Sequence, residues 1–208
     1  MSRFINRKDA GNQLAKKLTE YRGKDAVILA LPRGGVVIGY EIARTLNLPL
    51  DIVVVRKIGH PDNSEYAICA VDEKGSLLCD EAKVGPVNRH WLNEEILRQK
   101  KEALRRIKLY RGEKKPTELN GKTVIIVDDG IATGLTIRAA VRIVRKENPS
   151  GLVIAVPIAP REVTEELSEE GRIPVVTLDD GQDYLGAVGA YYDDFPQVSD
   201  GEVVELLS

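Results

Sequence analysis

Thr123-Val-Ile-Ile-Val-Asp-Asp-Gly-Ile-Ala-Thr-Gly-Leu-Thr136 is the stretch whose reading decides the fold. Thr123 to Val127 is an unbroken β-branched run, too short for a typical helix, and reads as a buried strand. Asp128 and Asp129 end it. A Gly/Thr-rich turn follows, then a helical pattern with Ile137, Ala140, Val141 and Val144 on one face. The backbone N–H groups of residues 132 to 136 would lie at that helix N-terminus, where the dipole favours anions. Thr133 and Thr136 add hydroxyls, and Gly134 permits close backbone approach or positive φ. The acid pair suits a polyhydroxyl group, a metal-bound water, or both. A sugar phosphate satisfies the two halves together, with hydroxyls on the carboxylates and phosphate in the cradle. A turn aspartate with a threonine cap would explain one Asp, but not a pair followed by a Thr-Gly cradle. No Gly-Lys-Ser/Thr is present, so nucleotide hydrolysis of the P-loop type is not indicated.

Outward from this stretch, short apolar runs alternate with helical ones. Ala26–Leu31, Asp51–Val55, Leu152–Val156 and Pro174–Leu178 read as further strands. Helices are expected from Asn6 as a cap, with Ala10, Leu14, Leu18 and Tyr21 on one face, and over Val36–Leu46, Trp91–Tyr110 and Val163–Glu170. Strands apolar on both faces and alternating with helices predict a doubly wound, mostly parallel α/β sheet. Ligands of such sheets bind at the carboxyl ends of the strands, here after Leu31, Val55 and Val127. Residues 58–90 are interrupted by Gly59, Pro61, Asn63, Gly75, Gly85 and Pro86 and are expected to form a long loop, with two short strand-like runs, Tyr66–Val71 and Ser76–Cys79.

The 208 residues fit one domain, and 43% apolar residues suffice for a core. Lys plus Arg number 30 against 32 Asp plus Glu, a formal charge of −2, which argues against bulk nucleic-acid binding. No apolar run approaches a membrane span, and the first residues lack a signal-peptide core. A cytoplasmic protein is expected. Cys69 and Cys79 read as reduced, buried small hydrophobes. His60 and His90 form no metal-binding spacing and read as loop residues, and Trp91 reads as a packing anchor. Residues 98–115 carry nine basic and two acidic side chains, whereas 162–208 carry thirteen acids against Arg172. Two solvated faces of opposite sign are the simpler reading; that the two regions meet is the sharper one.

Residues 124–136 resemble the phosphoribosyl pyrophosphate (PRPP) motif of type I phosphoribosyltransferases: four apolar residues, two acids and a Thr-Gly loop. The resemblance implies Asp128 and Asp129 on the ribose hydroxyls, with Ala132, Thr133, Gly134, Leu135 and Thr136 holding the 5-phosphate. Leu31-Pro-Arg-Gly-Gly35 is similar to that family's pyrophosphate loop, which implies Arg33 and Gly34 on pyrophosphate. Arg56-Lys57-x-Gly59-His60-Pro61 resembles the strand end and flexible loop of adenine-type members, which implies Lys57 and Arg56 there too, with His60 able to reach in. Asp183–Asp194 is similar, more weakly, to the hood of hypoxanthine-type enzymes. Val188 would then offer backbone contacts to the base, with Tyr184 or Tyr192 substituting for the stacking aromatic whose place Gly186 takes. Ala132 stands where those enzymes carry an aspartate, as in the adenine-type members. The match covers roughly residues 26–157, with an extension to 194.

The resemblance implies a single domain over 1–208, with a core at about 24–160, a flexible loop at about 58–90 that closes over the site, and a hood at about 178–208 plus the N-terminal segment. It implies a Mg2+-dependent enzyme with no direct protein ligand to the metal, which PRPP would carry near Asp128 and Asp129. Arg33, Lys57, Asp128 and Asp129 would be the catalytic set, and the assembly a homodimer. Glu65, Tyr66 and Asp193 are candidates for a general base. Two other readings stand beside it: a PRPP- or nucleotide-sensing regulator without turnover, and a metal-dependent phosphohydrolase built on the acid pair.

Overall fold

The computed structural model describes residues 3–72, 74–179, 181 and 183–208, with the backbone alone at 64 and 65. Five parallel strands form the main sheet: β1 (Ala26–Ala30), β2 (Leu50–Ile52), β6 (Thr123–Val127), β7 (Gly151–Val156) and β8 (Val175–Thr177), in the order β2-β1-β6-β7-β8. β1 connects toward β2 through α2 (Gly34–Leu46), whereas β6 connects the other way, toward β7, through α5 (Leu135–Arg145). The switch point therefore lies between β1 and β6, at whose carboxyl ends a crevice opens.

Alternate side chains of these strands supply two cores. Ile28, Ile125, Val127 and Val153 pack with α1 (Arg7–Lys17) and α2, while Leu29, Val124, Ile126 and Ile154 pack with α5 and with α6 (Arg161–Gly171). Ile125 and Ile126 are both fully inaccessible, and such burial contributes about 1.5–3 kcal/mol per side chain. α1 starts as its sequence predicts. The Asn6 side chain accepts from Asp9 N–H at 3.0 Å, and the Asp9 carboxylate accepts from Ile5 N–H at 3.0 Å. The doubly wound α/β class expected from the sequence is the observed one.

The region expected as a loop is mostly a second sheet. β3 (Val55–His60), β4 (Asn63–Asp72) and β5 (Leu77–Cys79) pair antiparallel, followed by α3 (Glu81–Val84) and the long α4 (Arg89–Arg111). Gly59 is a register shift in the β3–β4 pair, and Pro61 sits in the hairpin turn, so the breakers bend strands without abolishing them. Gly75, at φ +86°, closes the next turn, where the Asp72 carboxylate accepts from Ser76 N–H at 2.6 Å. The expected strand 51–55 is divided: β2 stops at Ile52, and Val55 opens β3 in the other sheet. The two histidines expected in loops belong to elements as well, His60 to the end of β3 and His90 to the first turn of α4.

Two further expectations are corrected here. Cys69 and Cys79 are not separate thiols but a disulfide. The β4–β5 register sets them directly opposite, with Cα atoms 4.0 Å apart, a proximity that their sequence separation did not announce. Nor are the basic and acidic regions wholly separate solvated faces. Asp200, at the start of α7 (Asp200–Leu206), accepts from Tyr110 Oη at 2.5 Å and Arg105 Nη2 at 3.1 Å, and Lys114 donates to the Leu207 carbonyl at 2.6 Å. Trp91 packs, partly buried, against the Ile58–Ile68–Leu92 cluster, as a helix-start anchor should.

Candidate active site

A crevice of about 350 Å³ opens at the switch point. Leu31, Pro32, Arg33 and Gly34 reach it from the β1–α2 turn, Arg56 and Lys57 from β3, Asp128, Asp129 and Thr136 from the β6–α5 segment. Thus the three anion-suited loops of the sequence converge on one place. Arg7 from α1, Arg106 from α4 and Gln197 from the C-terminal segment complete the lining. A larger hollow of about 520 Å³ lies around Asp51 and Arg111, but these two bond each other at 3.0 Å and Asp51 also accepts from Thr117 N–H at 2.7 Å. That acid is already satisfied, so the hollow offers less chemistry.

Glycine brings the two halves of the crevice together. A Cβ on Gly34 would overlap the Asp129 carboxylate, and one on Gly35 would stand 2.8 Å from the Val127 carbonyl oxygen. Only side-chain-free residues let the N-terminus of α2 press against the acid pair. The Pro32–Arg33 peptide leading into that turn is cis.

The acid pair is tightly held. Asp128 Oδ1 accepts from Asp129 N–H at 2.8 Å; Asp129 Oδ2 accepts from Arg7 Nε at 2.8 Å. The Arg7 guanidinium also donates to the Pro196 carbonyl at 2.7 Å and lies 3.6 Å from the centroid of the Phe195 ring. Burial pushes the Asp128 carboxyl well above the ordinary aspartate range, and the adjacent Asp129 charge pushes it further. Burial raises Asp129 as well, with the Arg7 charge and hydrogen bond pulling the other way. Opposite the acids, Arg56 is lowered by desolvation and by the neighbouring Arg106.

The phosphate-cradle expectation divides. Thr136 lines the crevice, and its buried hydroxyl has no hydrogen-bond partner among the described residues. Gly134 takes the left-handed conformation, φ +74°, as the cap of α5. Ile131 pins the turn, its N–H donating to the Ile158 carbonyl at 2.9 Å. Ala132 and Thr133 are exposed on the turn; they, Gly134 and Leu135 stand beside the crevice lining rather than in it.

The three residues expected to meet the base occupy different depths. Val188 abuts Gly130, where an added Cβ would meet Val188 Cγ1 at 2.5 Å, so it lies against the acid loop. Tyr192 is buried; its hydroxyl donates to the Asp129 carbonyl at 2.7 Å and its ring stacks on Phe195. Tyr184 stacks on Tyr191 with centroids 5.8 Å apart. Tyr66 and His60 sit together in the β3–β4 hairpin, with ring centroids 6.5 Å apart, and do not line the crevice; nor does Asp193. The Glu65 side chain lies outside the described residues.

Sequence reasoning missed Arg7, Arg106 and Gln197. Arg7 did leave a trace, as a cation in the first turn of a helix, where the dipole disfavours it. Arg106 left none, being one of nine basic residues in its stretch. Among the described residues no cluster of three or more His, Cys, Asp or Glu could hold a metal, and no helix is long and apolar enough to cross a membrane.

A family model described as the phosphoribosyl transferase domain matches residues 5–189. The "Putative phosphoribosyl transferase Rv0571c" of Mycobacterium tuberculosis is 37% identical over 209 residues, covering 100% of this chain and 47% of that protein. The chain thus spans about half the length of the curated relatives it matches. The crystal structure of TT1426 from Thermus thermophilus superposes with a TM-score of 0.80 at 41% identity, covering 99% of this chain and 97% of that one. The AQ2163 protein of Aquifex aeolicus, at 14% identity and a TM-score of 0.50 over 82% and 72% of the two chains, shares the fold alone.

Proposed function

From the premise that the chain belongs to the phosphoribosyl transferase family, we propose that it transfers the 5-phosphoribosyl group of PRPP to a nitrogenous base and releases pyrophosphate. One observation carries the reading: five cations (Arg7, Arg33, Arg56, Lys57 and Arg106) and the Asp128–Asp129 pair line one crevice at the switch point of the sheet. That charge pattern suits a ligand with a diol at one end and a polyanion at the other. Asp128 and Asp129 accept from the ribose hydroxyls. The turn 132–136 and the unpartnered Thr136 hydroxyl receive the 5-phosphate. Arg33, Gly34, Arg56 and Lys57 receive pyrophosphate, whose departure takes the electron pair of the C1–O bond as the base nitrogen forms the C1–N bond.

Two vicinal carboxylates, one of them held by Arg7, make a poor metal cage but a good partner for metal-bound water. Mg2+ therefore fits as a passenger of the pyrophosphate near Asp128 and Asp129, where it would add positive charge against the leaving group. Val188, Tyr184 and Tyr192 mark the side on which the base docks. Tyr192 serves from beneath, fixing the Asp129 backbone. Closure of the 58–90 segment over the crevice, a homodimer and a cytoplasmic setting belong to the same proposal. Free-thiol titration of protein taken directly from cells tests the last, since a reducing compartment would open the Cys69–Cys79 bond.

A second reading, a PRPP-binding regulator without turnover, is favoured by the crevice lining, which among the described residues includes neither Tyr66 nor Asp193 as a general base. A pyrophosphate-release screen with PRPP, Mg2+ and a panel of purines, pyrimidines and other amines separates the two. Release with any acceptor supports transfer; PRPP binding with no release under the full panel supports the regulator; no PRPP binding defeats both.

A further inference from the structure

α4 packs beside β3, and its inner side carries Arg106 into the crevice next to Arg56. Each of these guanidiniums is anchored on α4 through Nε: Arg56 donates to Gln99 Oε1 at 2.9 Å, and Arg106 to Glu102 Oε1 at 2.8 Å. Among the described residues neither shows a hydrogen bond from its terminal amino groups. The forks are therefore oriented and still have donors to give. Arg33 lines the same crevice, with Asp200 Oδ1 at 3.7 Å. Three guanidiniums sharing one crevice repel each other; Glu102 and Asp200 offset part of that charge, and a bound anion would offset more. A single Arg33 with the α2 N-terminus suffices for one phosphate; the arginines on the β3–α4 side suit a second, linked one.

We infer that Arg106 is a ligand-binding residue for the distal phosphate of a diphosphate, and that α4 forms the second jaw of an anion clamp whose first jaw is the Arg33–Gly34 turn. This rests on the transfer reading above but assigns a residue and a helix that the sequence motifs do not. Gln99 and Glu102 are positioning residues in this arrangement, since they hold the two forks through Nε and do not line the crevice.

Isothermal titration with inorganic pyrophosphate and, separately, inorganic phosphate tests it on the intact chain. The parent protein should bind pyrophosphate more tightly than phosphate. In Arg106→Gln pyrophosphate affinity should fall about 10- to 100-fold, as for the loss of a charge-assisted contact, with phosphate affinity little changed. Arg106→Lys should recover part of the loss, and Arg98→Gln, exposed on the same helix and paired with Glu95, should match the parent. Equal pyrophosphate affinity in Arg106→Gln and parent overturns the inference and leaves the transfer reading standing. So does a parallel fall for both anions with a lowered melting temperature, which would mark a structural role. Failure of the parent itself to bind pyrophosphate overturns both.

Discussion

The two walls of the crevice are built in opposite ways. The acid wall is contiguous: Asp128 and Asp129 lie just past the end of β6 and Thr136 in the first turn of α5. The cation wall is assembled from Arg7, Arg33, Arg56, Lys57 and Arg106, which belong to α1, the β1–α2 turn, β3 and α4. The first needs only local geometry and a buried strand to present it. The second exists only after two sheets and three helices have packed. Its charges are costly to gather, which is why most are tethered: Arg7 to Asp129, Arg56 to Gln99, Arg106 to Glu102 and Arg33 near Asp200.

The contrast can be broken first on the acid wall. Asp128→Asn with Asp129→Asn removes both carboxyl groups that the proposed reading sets against the ribose and should cut turnover by about 10³-fold or more in the pyrophosphate-release assay, in the range seen when a preorganised electrostatic contact is lost. A double variant with near-parental turnover would show that the diol assignment is wrong. Next comes the seam between the walls. Gly34→Ala places a Cβ against the Asp129 carboxylate and Arg7, so it should lower PRPP affinity at least about tenfold and cost about 1–3 kcal/mol of stability, read by urea unfolding.

A subtler effect separates function from stability. The folded chain holds a proton on Asp128 at pH values where the unfolded chain has lost it, because burial raises the folded value. Stability should therefore fall as pH rises through that window. Asp128→Asn should be more stable than the parent above the window, and the advantage should shrink to nothing as the pH drops below the ordinary aspartate range. Chemical unfolding at a series of pH values checks this; an advantage that grows on acidification would contradict it. The smallest effect belongs to the cation wall's periphery. Asp200→Asn loosens Arg33 and Arg105 at a half-exposed site and should raise the KM for PRPP by no more than about fivefold, with kcat nearly unchanged.

The same contrast explains what was legible beforehand. The parallel strands announced themselves because burial on both faces demands unbroken apolar runs such as Val124–Val127 and Leu152–Val156. The acid loop could be read because its residues are adjacent. The β3–β4–β5 sheet was hidden by Gly59, Pro61 and Gly75, which resemble loop residues yet here make a bulge and two turns. The disulfide depends on the register of that sheet and was hidden with it. Arg33 and Lys57 were visible beside strand ends. Arg7 stands 122 positions from Asp129 and left only its place in a helix first turn as a trace, while Arg106, on a different element from the acids, could be found only by packing.

The activity and affinity effects above rest on the proposal that a phosphorylated pentose is bound by its diol and its anions between the 124–136 stretch and the Arg33–Gly34 turn. Titration calorimetry of the parent chain with PRPP and Mg2+, repeated on the Asp128→Asn, Asp129→Asn double variant, tests it most directly. The expected result is one bound PRPP per chain in the parent and at least about a hundredfold weaker binding in the double variant. Absence of heat in the parent, or equal affinity in the two, would contradict it.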